Sequence, residues 1–383
     1  MFDRQFHLEP FVRFEELRRH RPVFYVEALD AWLLLRHDHV KQVLQDPRTF
    51  SSDDPRWHTE EFETAPTMIT SDDPTHRRLR ALAQPAFTPR RIAKLATAVE
   101  ELCESILDEV EARGDRFDLV EAFSGPFPAI VIAELLGVPR EDYPRFRRIA
   151  AQAVLATRPE PERSVGMRAG QELNAYYGAF LRERRESGEL GDDLTSDFIR
   201  AQRDGAECSD GELEAMGSLF LIAGHETTTN LINNAVRCLD DAPKLRAKVV
   251  ADPDCARDLV TEVLRYRGPV LGNFRFTTRT VEIGETVLPA GSRVLPMLMA
   301  ANHDPNEYEA PGEFQLERRA KGHLGFGRGI HRCLGEPLAK LEAEIAIPAL
   351  YRRFPELRVD TERDILPVEV PVIHGCRELH VRV

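Results

Sequence analysis

Apolar residues along this chain recur mostly at the spacing of amphipathic helices, and only in short stretches at the alternation of strands. That spacing predicts helices over 11–20, 39–46, 92–113, 142–156, 165–187 and 258–267, and one opening after Asp72-Asp73-Pro74. Two segments are apolar on nearly all sides and belong inside a core: 126–138, closed by Gly137 and Pro139, and 209–239. The second would run roughly 45 Å, across the whole molecule. Strand patterning is confined to 22–26 and 32–35 around a polar turn at 27–30, then to 270–276, 281–283 and 286–288, and to one or two strands in 365–383. Gly284-Glu285 suits a tight hairpin. The polar stretch 51–70, with Pro55 and Pro66, is a long loop of the kind usually tied to function, and 157–161 is a Pro-rich breaker with the character of a lid. The pattern is that of a mainly α chain with small β-sheets (α+β). With no internal repeat, low-complexity tract or composition shift, it reads as one domain over 1–383.

Two interruptions of the pattern carry chemistry. The first is Phe326-Gly327-Arg328-Gly329-Ile330-His331-Arg332-Cys333-Leu334-Gly335, a glycine-punctuated loop that delivers one cysteine to the start of the helical run from Glu336. Free N–H groups and the helix dipole there favour thiolate over thiol. A thiolate so placed serves as nucleophile, zinc ligand or axial ligand of a haem. Zinc is disfavoured because no second Cys or Cys/His cluster stands at ligand spacing, whereas nothing in the loop removes a nucleophile.

The second interruption is Ala223-Gly224-His225-Glu226-Thr227-Thr228-Thr229-Asn230, in the middle of the long apolar helix. Small residues, an acid and hydroxyls are poor material for a buried helix interior. They mark either a kink whose Thr hydroxyls bond back one turn or a working site. In the helix after Pro74, His76 and Arg80 fall on one face, where two stacked donors could clamp a carboxylate.

Composition narrows the setting. In 383 residues, 51 Lys and Arg against 64 Asp and Glu give a net charge of −13, which argues against nucleic-acid or anionic-membrane partners. Six cysteines without Cys-x-x-Cys spacing suit a reducing cytoplasm better than a disulfide framework. The first residues, Met1 to His7, lack the apolar core of a signal peptide, and no apolar run reaches the ~20 residues of a membrane span.

The loop at 326–335 resembles the haem-binding signature of the cytochromes P450, Phe-Gly-x-Gly-x-His-x-Cys-x-Gly, at every fixed position. Residues 223–227 resemble that family's oxygen-activation motif. Residues 72–80 resemble its Asp-x-Pro-x-His-x-x-x-Arg helix, and Glu262 with Arg265 its Glu-x-x-Arg pair, which Arg318 completes. The motifs stand in the family's order, and the resemblance runs over nearly the whole chain from about Pro22.

It implies the P450 fold, a triangular helical prism enclosing haem b (iron protoporphyrin IX), in a soluble bacterial or archaeal member. Cys333 is implied as the iron's axial and sole protein ligand, with Ala223, Gly224, Phe326 and Gly327 against the cofactor. His76, Arg80, Arg275 and His331 are implied to pair its propionates, with Arg279 a rival to Arg275. Gly224 would let substrate and dioxygen near the backbone, Glu226 and Thr227 would be the catalytic proton relay, and His225 would be a packing residue.

The implied activity inserts one oxygen atom from O2 into a lipophilic small molecule. Electrons would come from a separate ferredoxin-type partner, since the chain has no flavin or iron–sulfur motif, docking near Arg77, Arg78, Arg328 and Arg332. An H2O2-driven peroxygenase and a non-catalytic haem-thiolate sensor are the rivals, and the Glu226-Thr227 pair speaks against both. The expected pocket walls are Met68, Ile69, 155–161, Leu219, Ala223, 270–274, Val372 and Ile373. The protein is expected to be a cytoplasmic monomer without a membrane anchor.

Overall fold

The computed structural model describes residues 3–57 and 65–383; part of the expected 51–70 loop, and Met1 and Phe2, lie outside the described residues. Its helices follow the apolar spacing closely. The first are α1 (Arg4–Leu8), α2 (Phe11–His20) and α3 (His37–Gln45), then α4 (Thr75–Ala83), α5 (Pro89–Ala93) and α6 (Ala96–Glu111). After these come α7 (Pro126–Leu136), α8 (Tyr143–Ala153), α9 (Glu162–Ser187), α10 (Leu194–Arg203) and α11 (Asp210–Asp240). The chain ends its helical part with α12 (Pro243–Ala251), α13 (Ala256–Tyr266), α14 (Leu298–Asn302) and α15 (Glu336–Arg353).

The central α11 begins in a capping box. Ser209 Oγ accepts from the Glu212 N–H at 3.2 Å and Glu212 Oε2 accepts from the Ser209 N–H at 2.8 Å. Helices α7, α8, α9, α13 and α15 surround α11, and its apolar side chains join the main core, which runs from Met68 to Val381. The apolar α7 ends as its sequence implies: Gly137 turns left-handed at φ +72° and the Val138 N–H closes on the Ala133 carbonyl at 2.8 Å.

Strands are short. The main sheet runs in the order β1 (Val23–Val26), β2 (Ala31–Leu34), β8 (Arg293–Pro296), β5 (Arg275–Thr277) and β3 (Phe50–Ser51). β1 and β2 form the expected hairpin, β2 runs parallel to β8, and the remaining pairs are antiparallel. Pairing Arg275 with Val294 and Phe276 with Ser51 places Arg275 at the sheet end that faces α4 and the cysteine loop. A hairpin of Val281–Ile283 with Thr286–Leu288 turns at Gly284, as expected.

Three expectations give way. The single helix over 92–113 is two, because i→i+3 bonds to Lys94 and Leu95 break the ladder between α5 and α6. Of the 270–276 run only Arg275 and Phe276 are strand, within Arg275–Thr277; Val270 and Gly272 make isolated bridges to Ile373 and Met297. At the start of α4, Asp72 does not cap the helix. Its carboxylate instead accepts from the Ser51 hydroxyl at 2.5 Å and the Ser52 N–H at 3.1 Å, tying the helix entry to β3.

Candidate active site

Between α11, the cysteine loop, α4 and the end of the main sheet lies a partly open cavity of about 250 Å³. The loop is shaped by backbone that only glycine adopts easily. Gly327 and Gly329 sit at φ +68° and +75°, and a Cβ on Gly329 would fall 2.2 Å from the Leu44 carbonyl oxygen. Gly335 needs no such freedom; it is the ordinary N-cap of α15.

The turn closes when the Cys333 N–H reaches the Phe326 carbonyl at 2.9 Å. This leaves Cys333 on the cavity wall beside Phe326 and Gly327. Cys333 is exposed, but the surface it exposes is this wall. Enough protein surrounds the thiol that burial pushes it up to about 11, against the pull of the Gly335 and Glu336 N–H groups and of Arg80. Against that burial the helix terminus and Arg80 pull toward thiolate, as expected, and a cation on the sulfur would complete the ionisation.

Around the same cavity stands an excess of positive charge. Arg275 is buried, and its one hydrogen bond runs to the carbonyl of the preceding Phe274 at 2.7 Å. Burial pulls it down to about 10, with the charge of Asp72 opposing. Arg80 donates to the Arg332 carbonyl at 2.8 Å, and burial lowers it too. His76 is buried with its Nε2 unpartnered, and its ring lies 4.4 Å from that of His331. Burial, then Arg275, His76 and Arg80, push His331 down to about 3. Its Nε2 meets the Ser52 hydroxyl at 2.9 Å, a partner the sequence gave no reason to choose. Arg279 is turned away, to Thr49 at 3.0 Å, so Arg275 is the arginine on the cavity.

On the opposite wall, Ala223, Gly224, Thr227 and Thr228 of α11 line the cavity. Thr227 donates its hydroxyl proton to the Ala223 carbonyl at 2.9 Å. The Glu226 carboxylate lies off the wall: Asn230 Nδ2 donates to its Oε1 at 3.4 Å, and its Oε2 is 3.6 Å from His225 Nε2. Gly224 serves a different approach from the one expected. A Cβ there would meet Ile132 Cγ1 of α7 at 2.6 Å, so packing of α7 on α11 already demands the glycine.

The remaining walls are apolar: Met68, Ile69, Phe87, Leu219, Phe220 and Val270 among them. Of the expected walls, 155–161, Leu271, Gly272, Phe274, Val372 and Ile373 do not line the cavity. Several lining residues were missed, Phe87, Phe220 and the acid Glu342 among them. Glu342 of α15 is buried, its two carboxyl oxygens have no partner among the described residues, and burial raises it well above the carboxylate range. An acid at helical spacing in the mixed run 336–346 gives no sign of facing inward.

The supporting network is as expected from the Glu-x-x-Arg pair. Glu262 and Arg265 are fully buried and doubly bonded at 2.9 and 2.6 Å. Arg318 reaches Glu262 at 3.3 Å, and Arg265 also binds the Asn302, Pro311 and Glu313 carbonyls. Every donor of this guanidinium is satisfied, which fixes α13 against the chain leading to the cysteine loop.

Taken together, the cavity offers the Cys333 thiol and the under-paired Arg275 and Arg80 on largely apolar walls, with His331 on the wall and the buried His76 ring against it. The fit to a flat, lipophilic, iron-bearing dicarboxylate is specific. Buried Arg275 and the orphaned His76 Nε2 lack an anion, and a buried unpaired charge is expensive. A haem's two propionates supply what they lack, and its iron supplies the cation Cys333 needs. Among the described residues no group of three or more His, Cys, Asp or Glu could hold a bare metal ion.

Comparison with known proteins agrees. The family model described as Cytochrome P450 matches residues 4–258 and 255–373. The chain is 38% identical over 372 residues to Cytochrome P450 107B1 of Saccharopolyspora erythraea, covering 93% of this chain and 90% of that one. It is 37% identical over 376 residues to 6-deoxyerythronolide B hydroxylase of the same organism, covering 94% and 92%. Among solved structures, CYP109E1 from Bacillus megaterium in complex with testosterone superposes with a TM-score of 0.93 at 33% identity, covering 99% of both chains.

Proposed function

This chain belongs to the cytochrome P450 family and is a haem-thiolate monooxygenase; from that premise we propose that it hydroxylates a bulky lipophilic guest, of macrolide or steroid size, above Cys333. The reading is carried by one observation: the Cys333 thiol and the under-paired Arg275 and Arg80 stand on the same largely apolar cavity. Two similar proteins, 6-deoxyerythronolide B hydroxylase and CYP109E1 in complex with testosterone, support the size and polarity of the guest.

Bound haem, with the Cys333 thiolate on its iron, supplies one-electron and dioxygen chemistry, the thiolate's electron density favouring O–O cleavage. Ala223, Gly224, Phe326 and Gly327 give the cofactor its walls, while Arg275, Arg80, His76 and His331 hold its carboxylates. Phe87, Leu219 and Phe220 orient the guest and exclude water, which keeps protons from arriving except by the intended route. Thr227 presents hydroxyl lone pairs to the cavity because its proton is committed to the Ala223 carbonyl. Glu226 stands behind it as the proton source. This acid–hydroxyl pair favours use of O2 over a peroxide-driven reaction.

The electron donor we infer is a small ferredoxin-type protein. Arg77, Arg328 and Arg332 remain candidates for its docking face, although Arg77 is paired with Asp73 and Arg332 with Glu336. Arg78 leaves that face, since it is bound to Glu212 of α11 at 2.5 Å. No described helix is long and apolar enough to cross a membrane. Six unpaired cysteines support a cytoplasmic setting, and we propose one domain over 1–383 acting as a monomer.

The test is direct. Reduced protein treated with carbon monoxide should absorb at the red-shifted position of thiolate-ligated haem, and Cys333→Ala should abolish it. Product formation with surrogate ferredoxin and reductase separates an enzyme from a sensor. Retention of the red-shifted band in Cys333→Ala would sink the assignment.

A further inference from the structure

A small polar pocket lies where the turn at 54–57, the connection from α8 to α9 and the strand β8 meet. Asp54, Arg56, Ala156, Arg158, Arg163 and Arg293 line it, and none of them lines the active-site cavity. Its volume is about 10 Å³, room for one particle the size of a water molecule. Four guanidinium groups thus share these walls with a single carboxylate, in a chain whose net charge is −13.

That carboxylate is already committed twice. Asp54 is buried and accepts from Arg56 Nη2 at 3.2 Å and from Arg293 Nε at 2.9 Å. The Arg293 side chain is only 9% exposed. Its guanidinium lies over the Phe274 ring, 3.3 Å from the ring centre, and its Nη1 donates to the Leu29 carbonyl at 3.2 Å. Arg163, at the start of α9, donates to the Arg56 carbonyl and, at 3.3 Å, to Glu160. Arg158 meets one acid, Glu162, at 3.5 Å. These two glutamates do not line the pocket and are 54% and 40% exposed, where solvent and salt screen them.

Once those bonds are counted, Arg56 Nη1, Arg163 Nε and Arg293 Nη2 have no acceptor among the described residues, and the Arg158 guanidinium makes no hydrogen bond. A guanidinium keeps its charge at any working pH, so the four cannot relieve their repulsion by losing protons. A water molecule and a monatomic anion both suit the space, and the charge decides between them. Water answers donors with two lone pairs and leaves the repulsion standing; an anion accepts from every side and cancels it.

We propose that this pocket is a binding site for one small monovalent anion of the class of chloride, held by Arg56, Arg158, Arg163 and Arg293. Its walls come from three separate segments. The bound anion therefore fastens the breaker at 157–161 and the start of α9 to the 54–57 turn and to β8. The site stands apart from haem and guest and depends on neither.

Bromide, a heavier anion of the same class, locates the site. Holoenzyme crystals soaked in sodium bromide should show anomalous scattering inside the pocket. In solution, chloride NMR linewidths of the holoenzyme should follow a saturable one-site curve. Arg158→Gln should weaken that binding roughly threefold to fivefold, the weight of one half-exposed charge. Asp54→Asn should strengthen it, because the competing carboxylate is gone and the four cations remain. Hydrogen exchange of the amides at 155–165 should be slower in chloride than in gluconate at equal ionic strength, and the difference should shrink in Arg158→Gln. A pocket left empty or holding only water after the bromide soak overturns the inference. A bromide peak without saturable linewidths or an exchange difference marks an adventitious ion only and overturns it too, as does equal chloride binding in Arg158→Gln and the wild type. If Asp54→Asn does not fold, Arg158→Gln decides alone, since its side chain is 33% exposed and its loss strands no partner in the core.

Discussion

Thr227 gives its hydroxyl proton to the Ala223 carbonyl, 2.9 Å away and one turn back along α11. The bond costs the helix little, because it reuses a carbonyl inside its own ladder, and it turns the oxygen's lone pairs toward the cavity. Thr227→Ala should therefore leave the fold and haem content unchanged while product per NADPH consumed falls at least roughly tenfold, in the range of a lost general acid–base group. Product and peroxide counted in the same reaction check this, and unchanged coupling removes Thr227 from the relay.

Arg275 makes opposite predictions for the empty and the loaded protein. Its buried guanidinium has no bonded carboxylate, and an unpaired buried charge costs several kcal/mol. Arg275→Met should thus raise the unfolding free energy of the haem-free chain by about 1–3 kcal/mol while weakening haem retention. Urea melts of the empty chain and transfer of haem to an acceptor protein read the two signs separately. Loss of stability in both forms would show Arg275 to be a structural residue.

The Glu262–Arg265 pair should behave in the contrary way, since both partners are fully buried and Arg265 is saturated with acceptors. Glu262→Ala strands the guanidinium and should destabilise the protein by about 3–5 kcal/mol with or without haem. Chemical denaturation measures it, and a loss under about 1 kcal/mol would mean that the carbonyls alone hold Arg265.

His303 gives a pH dependence. It is buried, donates from Nε2 to the Tyr266 carbonyl at 2.7 Å, and is pushed down to about 3 by burial, with Arg265, Arg18 and Arg267 adding to the shift. The unfolded chain takes up this proton near the ordinary value of 6.5, and the folded chain does not until about 3. Between those values the unfolded state binds more protons, so this residue makes stability fall as pH falls. Replacing it by Gln, which keeps a donor for Tyr266, should flatten the slope of unfolding free energy against pH by one proton, about 1.4 kcal/mol per pH unit. Melts from pH 7 down to pH 4 test it, and an unchanged slope would assign the acid sensitivity to the other buried histidines.

What the sequence revealed and what it hid divides along physical lines. The cysteine loop, the α11 break and the His76/Arg80 face were legible because fixed backbone demands and side-chain chemistry lie close together in the chain. Helices α10 and α12 were overlooked although Asp193 caps one, accepting from the Ser196 N–H at 2.8 Å, and Pro243 opens the other. Both are signals in weakly apolar stretches. Ser52 and Glu342 depend on contacts across the fold or on which way one side chain turns, and no periodicity encodes those. The desolvation of the Cys333 thiol was hidden for a related reason: the helix terminus is local and visible, whereas the surrounding protein that opposes it is not.

Gly224 separates a packing demand from a catalytic one. A Cβ at this position would stand 2.6 Å from Ile132 Cγ1 and 2.8 Å from Cδ1, closer than real side chains approach. Gly224→Ala should therefore cost about 1–3 kcal/mol through overpacking between α7 and α11. Ile132→Ala removes both offending carbons and should itself be destabilising, since it opens a hole in the core. The double variant should be more stable than the sum of the two losses, because the new methyl occupies part of that hole, giving a coupling of about 1 kcal/mol or more in a double-mutant cycle. Denaturant melts of the four proteins measure it. If Gly224 is needed instead for approach of guest or dioxygen to the backbone, the melts will be additive and the loss will appear in guest affinity alone.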